Sequence, residues 1–428
     1  DACFQANKEE FEAFYEYSRQ YGLGMSNASS AYARGATGSG IVIGITDSGI
    51  DVEHPEIDAQ RISSNSATCN NGDTCFVGNY QPNTYDLRHG TYVAAVAAGG
   101  LNTSSSNGMH GVAFDAEILF VAINLGPPPD DYDPIDIGTD DGSGNVTNAP
   151  DFTGIDNFFS QLFEIYNDFN ADVVNNSYGY SGNINDFTEA QVRYAFPNTI
   201  EVMSQIGVPD TEKTIYVWAA GNAGGYADQG VDFSSPEILP GMGYYIPEIS
   251  GHSIAVVSVD ENGQISSFSN RCGVSQDYCI AAPGSDITVP YPTSTSDTGI
   301  FIGNTNDDNY NNCITDNSCY ARGASGTSFA APFVSGGLAV IADHFEGQLG
   351  SQEIVSRLFS TANKKGIYAD KAIYGQGLMD LNAATEPVGQ VSAMMSLSLS
   401  GPMTPAIFSN IQLTSPSFGD AIAKGIGN

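Results

Sequence analysis

Ile41-Val-Ile-Gly-Ile45-Thr-Asp47-Ser-Gly49 is a short, mostly apolar run that closes on a carboxylate and a turn. A run of this length and composition reads as a strand buried on both faces. Similar runs follow at Ile118–Ile123, Asp172–Asn175, Ile215–Ala219 and Ser253–Val259. Helix-like stretches at Thr91–Ala98, Gly154–Asn170, Phe187–Ile206 and Ser328–Phe345 separate or follow them. Short apolar strands alternating with helices predict an α/β fold, with a mostly parallel central sheet covered by helices on both faces.

Two further segments carry the same kind of information as the end of the first strand. His89-Gly-Thr91 leads into an Ala/Val-rich helix, and Gly326-Thr-Ser328-Phe-Ala-Ala-Pro332 opens a small-residue helix. A serine hydroxyl is a poor nucleophile until a base removes its proton during attack. A neutral imidazole does this near pH 7, and a buried carboxylate fixes its tautomer and stabilises the imidazolium that forms. Asp47, His89 and Ser328 fit the roles of orienting carboxylate, general base and acid, and nucleophile. Any one of these segments alone is common in turns and helix starts; the ordered set makes a nucleophilic hydrolase the first expectation.

The three segments resemble those of subtilisin-like serine proteases, the subtilases, and their Asp-His-Ser order is that of subtilisin. Asp51-Val-Glu-His54-Pro-Glu and Gly111-Val-Ala113 resemble the stretches that follow the family's aspartate and its histidine helix. Val173-Val-Asn-Asn-Ser177-Tyr-Gly179 is similar to one wall of the family's specificity pocket, and Val217-Trp-Ala-Ala-Gly-Asn222 to the opposite wall and the oxyanion asparagine. The resemblance implies a three-layer subtilisin-like fold and peptide-bond hydrolysis through an acyl-enzyme. Asn222 would then serve in the oxyanion hole, while Ser177, Tyr178, Gly179, Ala219, Ala220 and Gly221 would bind an extended peptide as added strands. Tyr178 and the loop after Asn222 would shape the first pocket. The base of that pocket falls in the divergent stretch 224–241, so its preferred residue stays open. No cofactor is implied for catalysis, and a structural calcium is compatible with the family.

A narrower resemblance rests on Tyr32-Ala-Arg-Gly-Ala-Thr-Gly38, Phe268-Ser-Asn-Arg-Cys272-Gly, Ala281-Ala-Pro-Gly284 and Ile373-Tyr-Gly-Gln-Gly-Leu-Met-Asp380, which are similar to the passenger domains of autotransporter subtilases. It implies a bacterial protein exported to the exterior or the cell surface, with a C-terminal translocator barrel as a partner. The alternating strands of a barrel are not evident after Pro387. The expected organisation is an N-terminal extension over 1–38, a protease domain over 39–386 and a C-terminal extension or linker over 387–428, acting as a monomer on protein or peptide substrates.

Composition agrees with this setting. The 428 residues carry 14 Lys plus Arg against 49 Asp plus Glu, a formal net charge of -35. Such a field repels phosphate backbones, which argues against nucleic acid as a partner. It attracts cations, including calcium and basic peptide segments, although solubility in a saline exterior is the plainer consequence. No apolar run approaches the roughly 20 residues needed to cross a bilayer. The chain opens at Asp1 without a signal-like segment, the pattern of a processed product. Seven cysteines include three close pairs, Cys69/Cys75, Cys272/Cys279 and Cys313/Cys319, each bracketing a polar loop. They are expected to form local disulfides in an oxidising compartment, with Cys3 left over. Asp130-Asp-Tyr-Asp133-Pro-Ile-Asp136 and Asp140-Asp141-Gly142 offer oxygen ligands suited to calcium but lack EF-hand spacing. Residues 7–20 read as an acidic helix whose aromatics Phe11, Phe14, Tyr15 and Tyr17 pack on a neighbouring surface.

Two rival readings make different predictions. A sedolisin-type acid peptidase shares a similar serine segment but replaces the histidine with a Glu/Asp pair and the oxyanion asparagine with aspartate, which His89 and Asn222 oppose. A catalytically silent adhesin would not react with a serine-directed fluorophosphonate. His54, His110, His252 and His344 are expected to serve packing, surface or helix-end roles rather than catalysis.

Overall fold

The computed structural model describes residues 2–70, 74–80, 87–103, 108–125, 132–291 and 320–386. The strands, in chain order, are β1 (Val42–Asp47), β2 (Ala67–Asn70), β3 (Thr74–Val77), β4 (Glu117–Ala122), β5 (Thr139–Asp140), β6 (Val146–Thr147), β7 (Val173–Asn176), β8 (Ile215–Ala219), β9 (Ser253–Val259), β10 (Cys279–Pro283), β11 (Ile287–Pro290) and β12 (Tyr320–Ala324). Eight of them form one sheet in the order β10-β9-β8-β7-β1-β4-β2-β3, parallel throughout except for the β2–β3 hairpin. The other four pair into two small antiparallel ribbons, β5 with β6 and β11 with β12.

Alternation along the strands sends side chains to both faces. Ile43, Ile45, Ile118, Phe120, Val173 and Val217 pack beneath helices Arg88–Ala98 and Thr327–His344. Leu119, Val121, Val174, Tyr216 and Trp218 pack under helix Thr153–Asp168 and helix Pro197–Ser204 on the other face. The three-layer arrangement expected of the sequence is therefore present. Strand Ser253–Val259 and strand Ile215–Ala219 have the expected bounds, and β1, β4 and β7 differ from expectation by one or two residues.

Three helical expectations need correction. The stretch 187–206 is two helices, Glu189–Ala195 and Pro197–Ser204, because Pro197 has no N–H to continue the first. A capping box between Thr188 and Gln191 starts the first of the pair. The helix expected from Thr91 begins at Arg88 and takes His89 into its first turn. The N-terminal helix is broken at Phe14 into Ala2–Ala13 and Tyr15–Arg19, followed by two further short helices, Tyr21–Met25 and Ala28–Tyr32. Tyr17 is buried and Phe11 packs on Tyr32, whereas Tyr15 is exposed. This segment joins the main core: Leu23 is buried in it, Gln20 Nε2 donates to the Thr288 carbonyl at 2.8 Å, and Tyr32 Oη donates to the Val112 carbonyl at 2.7 Å.

Cys69–Cys75 and Cys272–Cys279 form the expected disulfides. The first bridges directly opposed positions of the β2–β3 hairpin. The Cys313/Cys319 pair and the extension over 387–428 lie outside the described residues.

Candidate active site

The strand order reverses at β1, whose neighbours are β4 on one side and β7 on the other. Ligand sites in open parallel sheets form at the carboxyl ends of strands beside such a reversal. Asp47 is the last residue of β1 and completely buried. Its Oδ1 accepts from the Ser48 backbone N–H at 2.7 Å.

His89 stands across from it. The imidazole Nδ1 donates to the Asp47 carboxylate, 2.8 Å from Oδ1 and 2.9 Å from Oδ2. That contact makes Nε2 the acceptor nitrogen, and the side chain keeps 35% of its surface exposed. The following residues explain the approach. A side-chain carbon on Gly90 would stand 2.1 Å from the Gly49 carbonyl oxygen, so only glycine lets the helix come this close to the Asp47 turn. Thr91 Oγ1 accepts from the Asp51 N–H at 2.8 Å and ties the helix to the chain beyond that turn.

Ser328 is the second residue of its helix, where backbone N–H groups have no partner within the helix. Its Oγ donates to the Ser177 carbonyl at 3.2 Å, and Ser177 Oγ donates to the Ser328 carbonyl at 2.8 Å. The ring of the next residue, Phe329, lies 5.8 Å from the His89 ring, which brings the histidine and serine segments together.

Asn222 follows β8. Its Oδ1 accepts from the Thr327 N–H at 2.9 Å and from Thr327 Oγ1 at 3.1 Å. Two donors on one oxygen settle which end of the amide is which. The Nδ2 group makes no hydrogen bond to the described residues, and Asn222 is exposed beside Ser328. The structure thus gathers Asp47, His89, Asn222 and Ser328 at the carboxyl ends of the central strands.

The two expected walls flank Ser328. Among the described residues, the backbone N–H and C=O groups of Tyr178 and Gly179 make no hydrogen bond, which leaves an edge for an added strand. Tyr178 turns its ring away, stacked on Phe159 at 6.0 Å and edge-on to Trp218, with Oη donating to Asn176 Oδ1 at 3.0 Å. Its backbone, rather than its ring, is what it offers the cleft. On the other wall the Ala220 carbonyl accepts from Glu237 N–H at 2.9 Å and the Gly221 carbonyl from Asn270 N–H at 3.0 Å. Ala219, Ala220 and Gly221 are buried, and the N–H groups of Ala220 and Gly221 are taken as well, by the Val256 carbonyl at 3.0 Å and Thr327 Oγ1 at 3.2 Å, so the backbone of this wall is braced.

Residues outside the sequence expectation hold these groups in place. Ser335 Oγ donates to Asn175 Oδ1 at 3.0 Å and Asn175 Nδ2 donates to Ser177 Oγ at 2.9 Å, which links the Ser328 helix to the first wall. Thr327 orients Asn222, and buried Asn270 pins the next loop by accepting from Ala223 N–H at 2.8 Å. Thr327 was visible within the Gly-Thr-Ser motif; Asn175 and Asn270 lie within the quoted stretches that begin at Val173 and Phe268, but nothing local gave them these partners.

The remaining histidines sit elsewhere. His110 is fully buried, donates to the Gly111 carbonyl at 2.8 Å, and has its pKa pushed down to about 4 by burial. His252 is bonded to the Met203 carbonyl and His54 accepts from Glu56 N–H. His344 closes the last turn of its helix. The acid-rich loop does not converge: Asp136, Asp140 and Asp141 each accept from a backbone N–H two residues on. Asp130 and Asp131 lie outside the described residues, and no group of three or more His, Cys, Asp or Glu side chains converges among those described. The described carboxylates of this loop therefore do not make a calcium cage.

A model of the subtilase family matches residues 38–377. The chain is 29% identical over 386 residues to an extracellular serine protease of Serratia marcescens, covering 86% of this chain and 34% of that protein. It spans about a third of that relative's length. It is 25% identical over 366 residues to subtilisin DY of Bacillus licheniformis, covering 86% of this chain and 98% of that one. The solved structure of the MycP3 protease of the type VII (ESX-3) secretion system shares the fold with a TM-score of 0.52 at 21% identity, over 85% of this chain and 87% of that one.

Proposed function

This chain belongs to the subtilase family, and from that premise we propose that it is a serine endopeptidase working through an acyl-enzyme on Ser328. The observation that carries the reading is the Asp47–His89 hydrogen bond, set beside a serine at a helix N-terminus and an amide with a spare donor. His89 Nε2 takes the Ser328 Oγ proton as Oγ attacks the substrate carbonyl carbon. Asn222 Nδ2–H and the Ser328 backbone N–H receive the oxyanion. Collapse breaks the C–N bond, and the imidazolium gives its proton to the departing amine. Water, deprotonated by the same nitrogen, then attacks the acyl carbon; collapse breaks the ester C–Oγ bond and releases the carboxyl product, and the imidazolium returns its proton to Ser328 Oγ. Asp47 holds the tautomer and stabilises the transient imidazolium. No step calls for a cofactor.

A substrate backbone running beside Tyr178 and Gly179 finds unpaired amide and carbonyl groups, which supports an extended peptide as the ligand. We also infer export from the bacterial cell. Two disulfides and a strongly acidic composition suit an oxidising exterior, and the Serratia relative is described as extracellular. No described helix is long and apolar enough to cross a membrane. Residues 387–428 would serve as the connection towards a translocator barrel, and the protease would act as a monomer.

Exposure of a peptide library to native protein and to Ser328→Ala, with mass-spectrometric readout, tests the activity. Native protein is expected to produce internal cleavages that the variant does not. A library left intact by the native protein contradicts the reading.

A further inference from the structure

The slot between the two walls ends on a carboxyl group. A side-chain carbon on Gly221, whose φ of +114° already favours glycine, would stand 2.5 Å from Cδ and 2.8 Å from Oε1 of Glu237. One on Gly179 would stand 3.2 Å from Oε2 of the same residue. The Glu237 backbone is fixed by its N–H bond to the Ala220 carbonyl at 2.9 Å and by a bridge to Asn183. Its carboxyl therefore reaches between the walls where both lack side chains. Gly179 is two residues beyond Ser177, whose carbonyl accepts from Ser328 Oγ, and Gly221 immediately precedes Asn222. The carboxyl thus sits inside the pocket that opens beside the nucleophile.

No hydrogen bond or ion pair to a described residue engages the Glu237 carboxyl. Its pKa is pushed up to about 8 by burial. Glu237 is half-buried, and a carboxylate partly withdrawn from water without a partner is costly; an apolar side chain filling the slot would enclose it further. A long cationic side chain removes the cost, because it carries the missing charge and donors to the carboxylate while its methylene stem lies along the glycine walls. The formal net charge of -35 favours the approach of basic segments as well.

We propose that Glu237 is the specificity-determining residue of this pocket and that the enzyme cleaves on the carboxyl side of lysine or arginine. The proposal rests on the serine-peptidase reading above and names the substrate class of that same site.

The test compares kcat/KM on matched fluorogenic peptides that carry Arg, Lys, Leu or Phe on the acyl side of the scissile bond. Native protein is expected to favour Arg or Lys by at least about tenfold, the discrimination that one desolvated charge pair supplies. Glu237→Gln is expected to lose at least about tenfold on the basic peptides, so that the ratio of basic to apolar cleavage collapses. Native protein that prefers Leu or Phe, or an unchanged ratio in Glu237→Gln, overturns the proposal. Fluorophosphonate labelling of both proteins separates the two layers. A labelled native enzyme with an apolar preference defeats the pocket assignment alone, and an unlabelled native protein defeats both. If Glu237→Gln is not labelled, the native preference decides by itself.

Discussion

Ser177 and Ser328 exchange hydrogen bonds in both directions: each side-chain hydroxyl donates to the other's backbone carbonyl, at 2.8 Å from Ser177 and 3.2 Å from Ser328. One residue leads into the Tyr178-Gly179 edge of the first pocket wall and the other is the proposed nucleophile, so the pair sets the cleft in register with the reacting atom. It also holds Ser328 Oγ in a resting orientation that attack must break, since the hydroxyl has to turn to His89. Hydrogen bonds of this kind commonly tighten into their catalytic arrangement only once substrate is present.

Ser177→Ala removes a buried donor and strands Asn175 Nδ2, which donates to Ser177 Oγ. Stability is expected to fall by about 1–3 kcal/mol, the usual cost of leaving a buried polar group unpaired. Looser registration of Ser328 is expected to lower kcat by about tenfold to a hundredfold. Urea unfolding and steady-state kinetics on one peptide read both effects.

Asn222→Ala deletes the donor whose orientation Thr327 fixes. The interaction is made with charge that exists only in the transition state. The expected result is a fall in kcat of about 10²–10³ with KM little changed, the magnitude known for the equivalent donor in subtilisin. A matched rise in KM with kcat preserved would assign Asn222 to ground-state binding instead.

Asp47→Asn keeps the volume of the side chain but replaces an acceptor of both Nδ1 contacts with an amide. Histidine then adopts the wrong tautomer for accepting the Ser328 proton, and kcat is expected to drop by about 10⁴. Circular dichroism is expected to show an intact fold, since the change touches only the hydrogen bonds of one side chain to His89 and Ser48.

Glu56 gives a pH test. Burial raises its pKa to about 8, countered by hydrogen bonds from Tyr320 Oη and Met109 N–H, and raised further by nearby Glu16. A carboxyl whose folded pKa lies above its unfolded value binds more protons when folded. Its contribution is therefore complete below the unfolded value of 4.5 and is lost as pH rises through about 8. Glu56→Gln is expected to flatten the decline in stability over that window by an amount on the order of a few kcal/mol. Some slope should remain, because Glu237 shifts in the same direction. Denaturant midpoints at pH 5 and pH 9 measure the difference.

The parts of the fold and site that were legible in sequence are those with local signals. Apolar runs located β1, β4, β7, β8 and β9 because buried parallel strands show continuous hydrophobicity. The short strands β2, β3 and β12 escaped notice because their residues are mixed, and their pairing comes from a hairpin or from a partner distant in sequence. Asp47, His89, Asn222 and Ser328 could be singled out because each sits in a motif with its own backbone requirement, such as the close approach at Gly90. Glu237 could not be. It stands 16 residues beyond Gly221 in a stretch without periodicity, and only the bridge to Asn183 and the bond to Ala220 bring it between the walls. The direction of the Tyr178 ring was equally hidden, since Phe159 and Trp218 claim it from helix and strand positions remote in the chain.

The central claim is that Ser328 is a nucleophile activated by His89. Incubation with a fluorophosphonate, followed by digestion and mass spectrometry of the peptide that contains Gly326-Thr-Ser328, tests it most directly. Native protein is expected to carry a single covalent adduct on Ser328, His89→Ala to react far more slowly and Ser328→Ala not to react. An unmodified Ser328 in folded native protein, or equal labelling in His89→Ala, would contradict it.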